Sequence, residues 1–260
     1  MKKTCFIFAA ALIFPTLANA GWMVDTKSSD GEARKTYIEG SILCEETDGD
    51  YVIIDMKSKQ ITIVNNKTKT YATSTVDEMK KMTADFKAQA DKSMAEALKT
   101  MAPEQQAAYK KMMGTSDAKK PSVKVQKKND EKIAGFSSTK YEIMSDNKLV
   151  EEIWVSSEVP FFDGDFKQNA DLMAEAASGM AGGDYTSDKA YLELMKSGYP
   201  VKQRSLSSAE MPNMPGMPES WSTEEVKSIQ KMDVAKYITV PAGYKKNSYM
   251  DMMQPPTGEK

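Results

Sequence analysis

The chain has no histidine and only two cysteines in 260 residues. Without histidine there is no Ser-His or Cys-His nucleophile pair, no imidazole general base and no His-ligated zinc site. Cys5 lies in an N-terminal apolar run read below as removed, so Cys44 stands alone and no disulfide can form within the mature chain. The fold therefore rests on packing. Ile42-Leu43-Cys44 reads as strand, where a lone thiol is a buried, inert side chain. After the N-terminal run no stretch offers the ~18 uninterrupted apolar residues a spanning helix needs. Charge of one sign is not in excess either, with 35 basic against 37 acidic residues, which gives no pull toward nucleic acid.

What is present first addresses location. Lys2 and Lys3 precede an apolar run from Cys5 to Phe14, and Ala18-Asn19-Ala20 has the small-x-small form of a cleavage site. Residues 1–20 read as a secretory signal peptide. Losing Lys2 and Lys3 from the 35 leaves 33 basic against 37 acidic residues, a formal charge of −4. The Met1-Lys2-Lys3 start looks bacterial, and no cysteine at the cleavage site offers a lipid attachment point. The expected location is the periplasm, with residues 21–249 as a single domain and 250–260 as a flexible polar tail.

From Trp22 to Thr73 short β-rich runs alternate with turn residues: Met23-Val24, Thr36 to Ile38, Ser41 to Cys44, Tyr51 to Asp55, Ile61 to Val64 and Tyr71 to Thr73. Asp30-Gly31, Asp48-Gly49 and Asn65-Asn66 tolerate the positive φ that hairpins need, so the runs predict an antiparallel meander. At Thr75 the period changes. Thr75-Val76-Asp77-Glu78 matches a capping box, and Val76, Met79, Met82, Phe86, Ala90, Met94, Leu98 and Met101 recur at spacings of three or four, predicting one long amphipathic helix. A second helix is expected from Pro103 to Gly114. Strands resume at Val123 to Lys128, Tyr141 to Met144 and Val150 to Ser156. Helical spacing returns over Phe166 to Met180, and a short helix over Tyr191 to Lys196 stops at Gly198. Strand-like runs close the chain at Pro200 to Ser207, Glu225 to Met232 and Tyr237 to Val240.

About eleven strands interrupted by helical insertions predict an α+β fold, mainly antiparallel β: a curved sheet or incomplete β-barrel whose helices cover the concave face. A sheet that curls around helices without closing leaves an apolar groove between the layers, where small hydrophobic ligands sit.

Ala134-Gly135-Phe136 to Tyr141, Glu152-Ile153-Trp154-Val155-Ser156 to Pro160, Tyr199-Pro200-Val201-Lys202, Glu225-Val226 to Ile229 and Val240-Pro241-Ala242-Gly243-Tyr244 carry a resemblance. Their order resembles an uncharacterised family of exported bacterial proteins, a domain of unknown function that is similar to the LolA-like superfamily of lipoprotein carriers. The resemblance runs from Trp22 to Lys246. It implies a half-barrel with a helical lid that holds acyl chains or other lipids.

The 20 methionines require explanation. Met211, Met214 and Met217 alternate with Pro212, Pro215 and Pro218, and an extended helix of three residues per turn would align their thioethers, soft ligands for Cu(I), along one edge. Met79, Met82 and Met94 sit at helical spacing, where flexible thioethers fill a core or accommodate varied apolar ligands.

Several catalytic patterns fail. Ser137-Ser138-Thr139-Lys140 and Ser145-Asp146-Asn147 mimic two penicillin-binding signatures, but the third is missing and the first lies in a strand. Asp163-Gly164-Asp165 lacks the glycine and terminal glutamate of a calcium loop. Ser178 to Gly183 lacks the strand-to-helix frame of a phosphate cradle. Glu45-Glu46 and Glu151-Glu152 are adjacent on strands, point to opposite faces and read as solvated rim. The lysines at 119, 120, 124, 127 and 128 read as protection of an edge strand.

The sequence thus predicts a non-enzymatic periplasmic protein that needs no cofactor and holds a hydrophobic small molecule or lipid. Met79, Met82, Phe86, Met94 and Trp154 are the expected groove lining, with Phe161 and Phe162 near its mouth. Two alternatives stand beside it: Cu(I) binding or buffering through Met211, Met214 and Met217, and a structural role against another envelope protein.

Overall fold

The computed structural model describes residues 20–100, 121–162, 167, 184–206 and 219–253. Its centre is one open, curved sheet of twelve strands that does not close into a barrel. The first half is a meander of β1 (Ala20–Ser28), β2 (Ala33–Glu39), β3 (Ile42–Thr47), β4 (Asp50–Asp55), β5 (Gln60–Asn65) and β6 (Thr70–Thr75). The second half is β7 (Val123–Ile133), β8 (Phe136–Ser145), β9 (Lys148–Ser156), β10 (Tyr199–Leu206) and β11 (Trp221–Asp233). The halves join where β1 pairs antiparallel with β11, and β12 (Lys245–Lys246) adds in parallel to β6. β7 is the outer strand at the other end.

Turn chemistry sets the registers. Asp48-Gly49, Ala134-Gly135 and Asp146-Asn147 each place two consecutive residues at positive φ, the two-residue hairpin geometry whose twist matches the flanking strands. Asn65-Asn66 acts differently from the expectation. Neither residue is at positive φ; the Asn65 side chain accepts from the Thr68 amide at 2.9 Å, and Lys69 takes the left-handed position, so the loop is longer than a tight turn. The expected strand from Tyr237 to Val240 is instead a series of turns, with the Tyr237 amide donating to the Val234 carbonyl at 2.8 Å. Its apolar residues cap the sheet rather than extend it, and Tyr237 stacks on Tyr37 with ring centroids 3.8 Å apart.

The first half of the sheet is apolar on both faces, because Leu43 and Cys44 are neighbours on one strand and both are buried. One face carries Val24, Ile38, Leu43, Ile61 and Val226 in the main core; the other carries Tyr37, Cys44, Ile53 and Val64 beneath the segment from Val234 to Tyr244. Close layering explains Gly21, where any Cβ would collide with the Ile38 carbonyl and the Val234 side chain. In the second half, Ile143, Ile153 and Val155 pack against Tyr191 and Leu194 of α2 (Lys189–Met195), whose first turn is capped by Asp188 accepting from the Ala190 amide at 2.8 Å.

The long helix α1 (Val76–Thr100) starts where the capping box places it. The Thr75 amide donates to Glu78 at 2.8 Å and the Glu78 amide to Thr75 Oγ1 at 3.1 Å. Val76 is buried in the main core and Met79 packs against it, which seats the first turn of α1 on the sheet. The helical insertions expected over Pro103 to Gly114 and Phe166 to Met180 lie outside the described residues, apart from Lys167, which is helical. Tyr249–Met253 form a short helix, α3, against β6, with the Thr70 hydroxyl 3.3 Å from Met252 Sδ, so this part of the expected tail belongs to the sheet edge. No helix of the described residues is long and apolar enough to cross a membrane.

Candidate functional site

Side chains two apart on a strand share a face, and cross-strand partners share it too. The pairs Trp22–Ile38, Val24–Thr36 and Thr26–Arg34 of β1 and β2 therefore line one track along the sheet. Its floor is closed in the middle, where Val24 and Thr36 are buried. Each end opens into a cavity.

The first cavity, of about 220 Å³, is walled by Trp22, Ile38 and Phe161, with Glu39 and Gly40 at its lip. Phe161, in the loop after β9, folds back onto the start of β1 and gives it an aromatic wall. The second cavity, of about 170 Å³, is lined by Thr26, Arg34 and Thr36 from the track, by Glu45 of β3, by Tyr199 and Gln203 of β10, and by Glu224 and Val226 of β11. Phe161 of the first lining and Tyr199 of the second meet edge to face with centroids 4.9 Å apart.

The second cavity is lined by two cations, Arg34 and Lys202, and two carboxylates, Glu45 and Glu224. Arg34 is held by Glu224 at 3.0 Å, and Lys202, at its edge, by Glu225 at 3.1 Å. Glu45 has no ion-pair partner among the described residues. The residue as a whole is exposed, yet the neighbouring walls strip enough hydration from its carboxyl to raise it above the ordinary range; Arg34 pulls the other way and Glu224 adds to the rise. Burial drives the Tyr199 phenol far above its usual value, with the charges of Glu45 and Glu224 behind it.

A second charged assembly spans β8 to β11. Glu152 is buried and accepts from Lys140 at 2.5 Å and Arg204 at 2.7 Å. Burial alone would raise its carboxyl, but the two cations outweigh it and hold it below the ordinary range. Lys140 and Lys202 each stand 5.0 Å from the centre of the Trp154 ring, and Arg204 lies 4.4 Å over Trp221. Two cations thus share the single Glu152 carboxylate.

The sequence-derived groove residues divide. Met79 packs on the main core cluster, in which Trp154, Phe161 and Phe162 are buried members; Met82 is half-buried on α1. The side chains of Phe86 and Met94 lie outside the described residues, as do Met211, Met214 and Met217. Phe161 borders a cavity, whereas Trp154 and Phe162 are 5% and 3% exposed and serve as packing. Glu45 and Glu46 do face opposite ways: Glu46 accepts from the Tyr37 hydroxyl at 2.8 Å on the far face. Glu151 and Glu152 also diverge, but neither is solvated rim; Glu151 is fully buried and accepts from Tyr191 at 3.3 Å. Burial follows because α2 covers one face of β9 and the lysine-arginine ladder covers the other. Ser138, in the discarded catalytic pattern, donates to the Glu131 carbonyl within the β7–β8 hairpin.

Sequence reasoning missed Trp22, Arg34, Tyr199 and Glu224 as cavity residues. The alternation Arg34-x-Thr36-x-Ile38 marks one face of β2, but only the β1–β11 pairing brings β10 and β11 beside it.

No family model matches the chain, and no curated protein matches it. Among solved structures, an uncharacterized conserved protein from Thermus thermophilus is similar over 88% of this chain and 91% of its own, with 8% identity and a TM-score of 0.41.

Proposed function

We propose that the protein is a non-enzymatic periplasmic binding protein that holds a hydrophobic ligand, a lipid or acyl chain, on the apolar face of its sheet with α1 as the lid. The observation that carries this reading is the cavity of about 220 Å³ between Trp22, Ile38 and Phe161, at the end of the track whose core also takes Met79 of α1. Its volume is below the ~300–1,000 Å³ of pockets that enclose whole drug-sized ligands. It admits the end of an alkyl chain, and the rest of the chain lies along the track once α1 lifts. The apolar ring set needs no catalytic partner, and the resemblance to LolA-like carriers points the same way. Secretion follows from Lys2, Lys3 and the Ala18-Asn19-Ala20 cleavage pattern.

The test is titration of the mature protein with a fluorescent acyl probe. Wild type binds saturably with one site, and Trp22→Glu, at a half-buried position beside Lys231, loses binding while circular dichroism stays unchanged. Equal binding by wild type and a folded Trp22→Glu variant overturns the assignment to this cavity; no binding by wild type overturns the function.

A further inference from the structure

We infer that the charged face running from β7 to β11 is a docking surface for the anionic headgroups of a phospholipid bilayer. None of its side chains lines the Trp22 cavity, so it stands independently of the ligand reading above. Register is the first observation. Glu142, Glu152 and Arg204 lie side by side on β8, β9 and β10, and two residues along the same strands Lys140, Trp154 and Lys202 form a second row that Glu225 of β11 extends. Side chains at this spacing share a face. Lys128 of β7 and Lys227 of β11 bond to its two ends.

The second observation is an uneven count of charges. Glu142 holds Lys128, Glu152 holds both Lys140 and Arg204, and Glu225 holds both Lys202 and Lys227, so five cations meet three carboxylates. The carboxylates are also the more covered: the Glu152 side chain is 10% exposed against 41% for Arg204, and Glu225 31% against 46% for Lys227. What reaches solvent is therefore mainly cationic. Burial raises the Glu152 carboxyl, yet Lys140 and Arg204 hold it below the ordinary range, and the Lys227 hydrogen bond leads in lowering Glu225, in keeping with a locally positive field.

The third observation decides between partners. Arg204 lies 4.4 Å over the half-buried Trp221, and an arginine fork that binds phosphate beside an indole suited to the headgroup layer is a pairing fitted to a lipid surface. The cations are spread over five strands, ~19 Å across at the ~4.8 Å strand spacing. An acidic protein would need carboxylates at matching positions, whereas lipid phosphates move in the plane of the bilayer and take the spacing that the strands set. The mature chain as a whole is acidic, so its other surfaces oppose approach to an anionic bilayer and this face is the one that meets it.

Flotation of the mature protein with vesicles of phosphatidylcholine alone, or of phosphatidylcholine and phosphatidylglycerol in equal parts, tests the inference. At low salt wild type should bind the anionic vesicles about thirtyfold more tightly than the neutral ones, about fivefold for each of the two excess cations. The preference should vanish at about 1 M salt, where the screening length is ~3 Å. Arg204→Gln combined with Lys227→Gln brings the count to three against three and leaves each carboxylate one cation, so circular dichroism should stay unchanged while the anionic preference disappears. Lys227→Gln alone, at the most exposed of the five cations, should lose about fivefold. Lys57→Gln with Lys67→Gln, exposed lysines of the β4–β5 and β5–β6 turns, removes the same charge elsewhere and should keep the preference. Equal binding to both vesicles by wild type, binding to neither, or an equal loss in the turn variant overturns the inference and leaves the Trp22 cavity reading untouched. Binding to polyglutamate at the same low salt without binding to the anionic vesicles also overturns it and assigns the face to an acidic protein.

Discussion

Phe161 stands at 82° to Tyr199 with the ring centroids 4.9 Å apart, so a residue of one cavity's lining touches a residue of the other's. The two residues belong to separate segments, the loop after β9 and the start of β10, yet both end over β1 because β11 pairs with β1. The same pairing makes the two meanders one sheet. Without it neither cavity has its second wall.

Glu152 is the electrostatic hub of the second half of the sheet. Glu152→Gln leaves Lys140, at 18% exposure, without its carboxylate and Arg204 free to turn to solvent. The expected loss is about 3 kcal/mol, the lower end for breaking a buried pair. The pH dependence follows from the depressed carboxyl. Its stabilisation is complete above the unfolded value of 4.5 and is lost as pH falls through the lower folded value. Urea melts from pH 7 to pH 3 should therefore show a stability drop on the acid side of about 4.5 that is shallower in Glu152→Gln. Parallel curves for both proteins would show that Glu152 does not carry this dependence.

Cys44 is fully buried, and burial, followed by the charges of Glu46 and Glu45, pushes its thiol up to about 12. The thiolate that reacts with disulfide reagents is then scarce in the native state. An aromatic disulfide reagent at pH 8 should leave native protein unmodified over an hour and label one thiol at once in guanidinium. Rapid native labelling would place Cys44 at an accessible surface and contradict its position between Tyr37 and Ile53.

Among the described residues no strand pairs with the outer side of β7, and Lys124, Lys127, Lys128 and Lys132 stand along it, all exposed. Lysines on such an edge discourage pairing with another chain. Replacing Lys124, Lys127 and Lys128 together by Thr should raise the weight-average mass in light scattering with concentration, while the spectrum of the monomer is kept. A variant that stays monodisperse at every concentration would relieve these lysines of that role.

Local structure was legible where the signal was local. Asp48-Gly49 and Asp146-Asn147 mark their hairpins because positive φ favours those residue types, and Thr75 with Glu78 marks the start of α1 because the reciprocal cap needs those side chains. Asn65-Asn66 misled for a physical reason: the Asn65 side chain organises a wider turn, and Asn66 serves instead to bind the Tyr244 hydroxyl at 2.6 Å. The run Tyr237 to Val240 has strand-like alternation, but its stacking on Tyr37 uses that alternation to cover a sheet already apolar on that face. Phe161, expected near a groove mouth, borders the cavity beside Trp22 and Ile38. Glu45, Arg34 and Glu224 were not legible as a group, since their convergence depends on strands almost two hundred residues apart in sequence, from β2 to β11, and nothing near any of the three announces the others.

The central claim is the proposal that the protein holds a hydrophobic ligand beside Trp22 in the cell. Native mass spectrometry of the mature protein, purified from the periplasm without detergent or chelator, tests it most directly. The account predicts a protein carrying one adduct of lipid-like mass, removed by Trp22→Glu. Protein that flies bare at the gentlest activation, or an adduct that persists unchanged in Trp22→Glu, would contradict it.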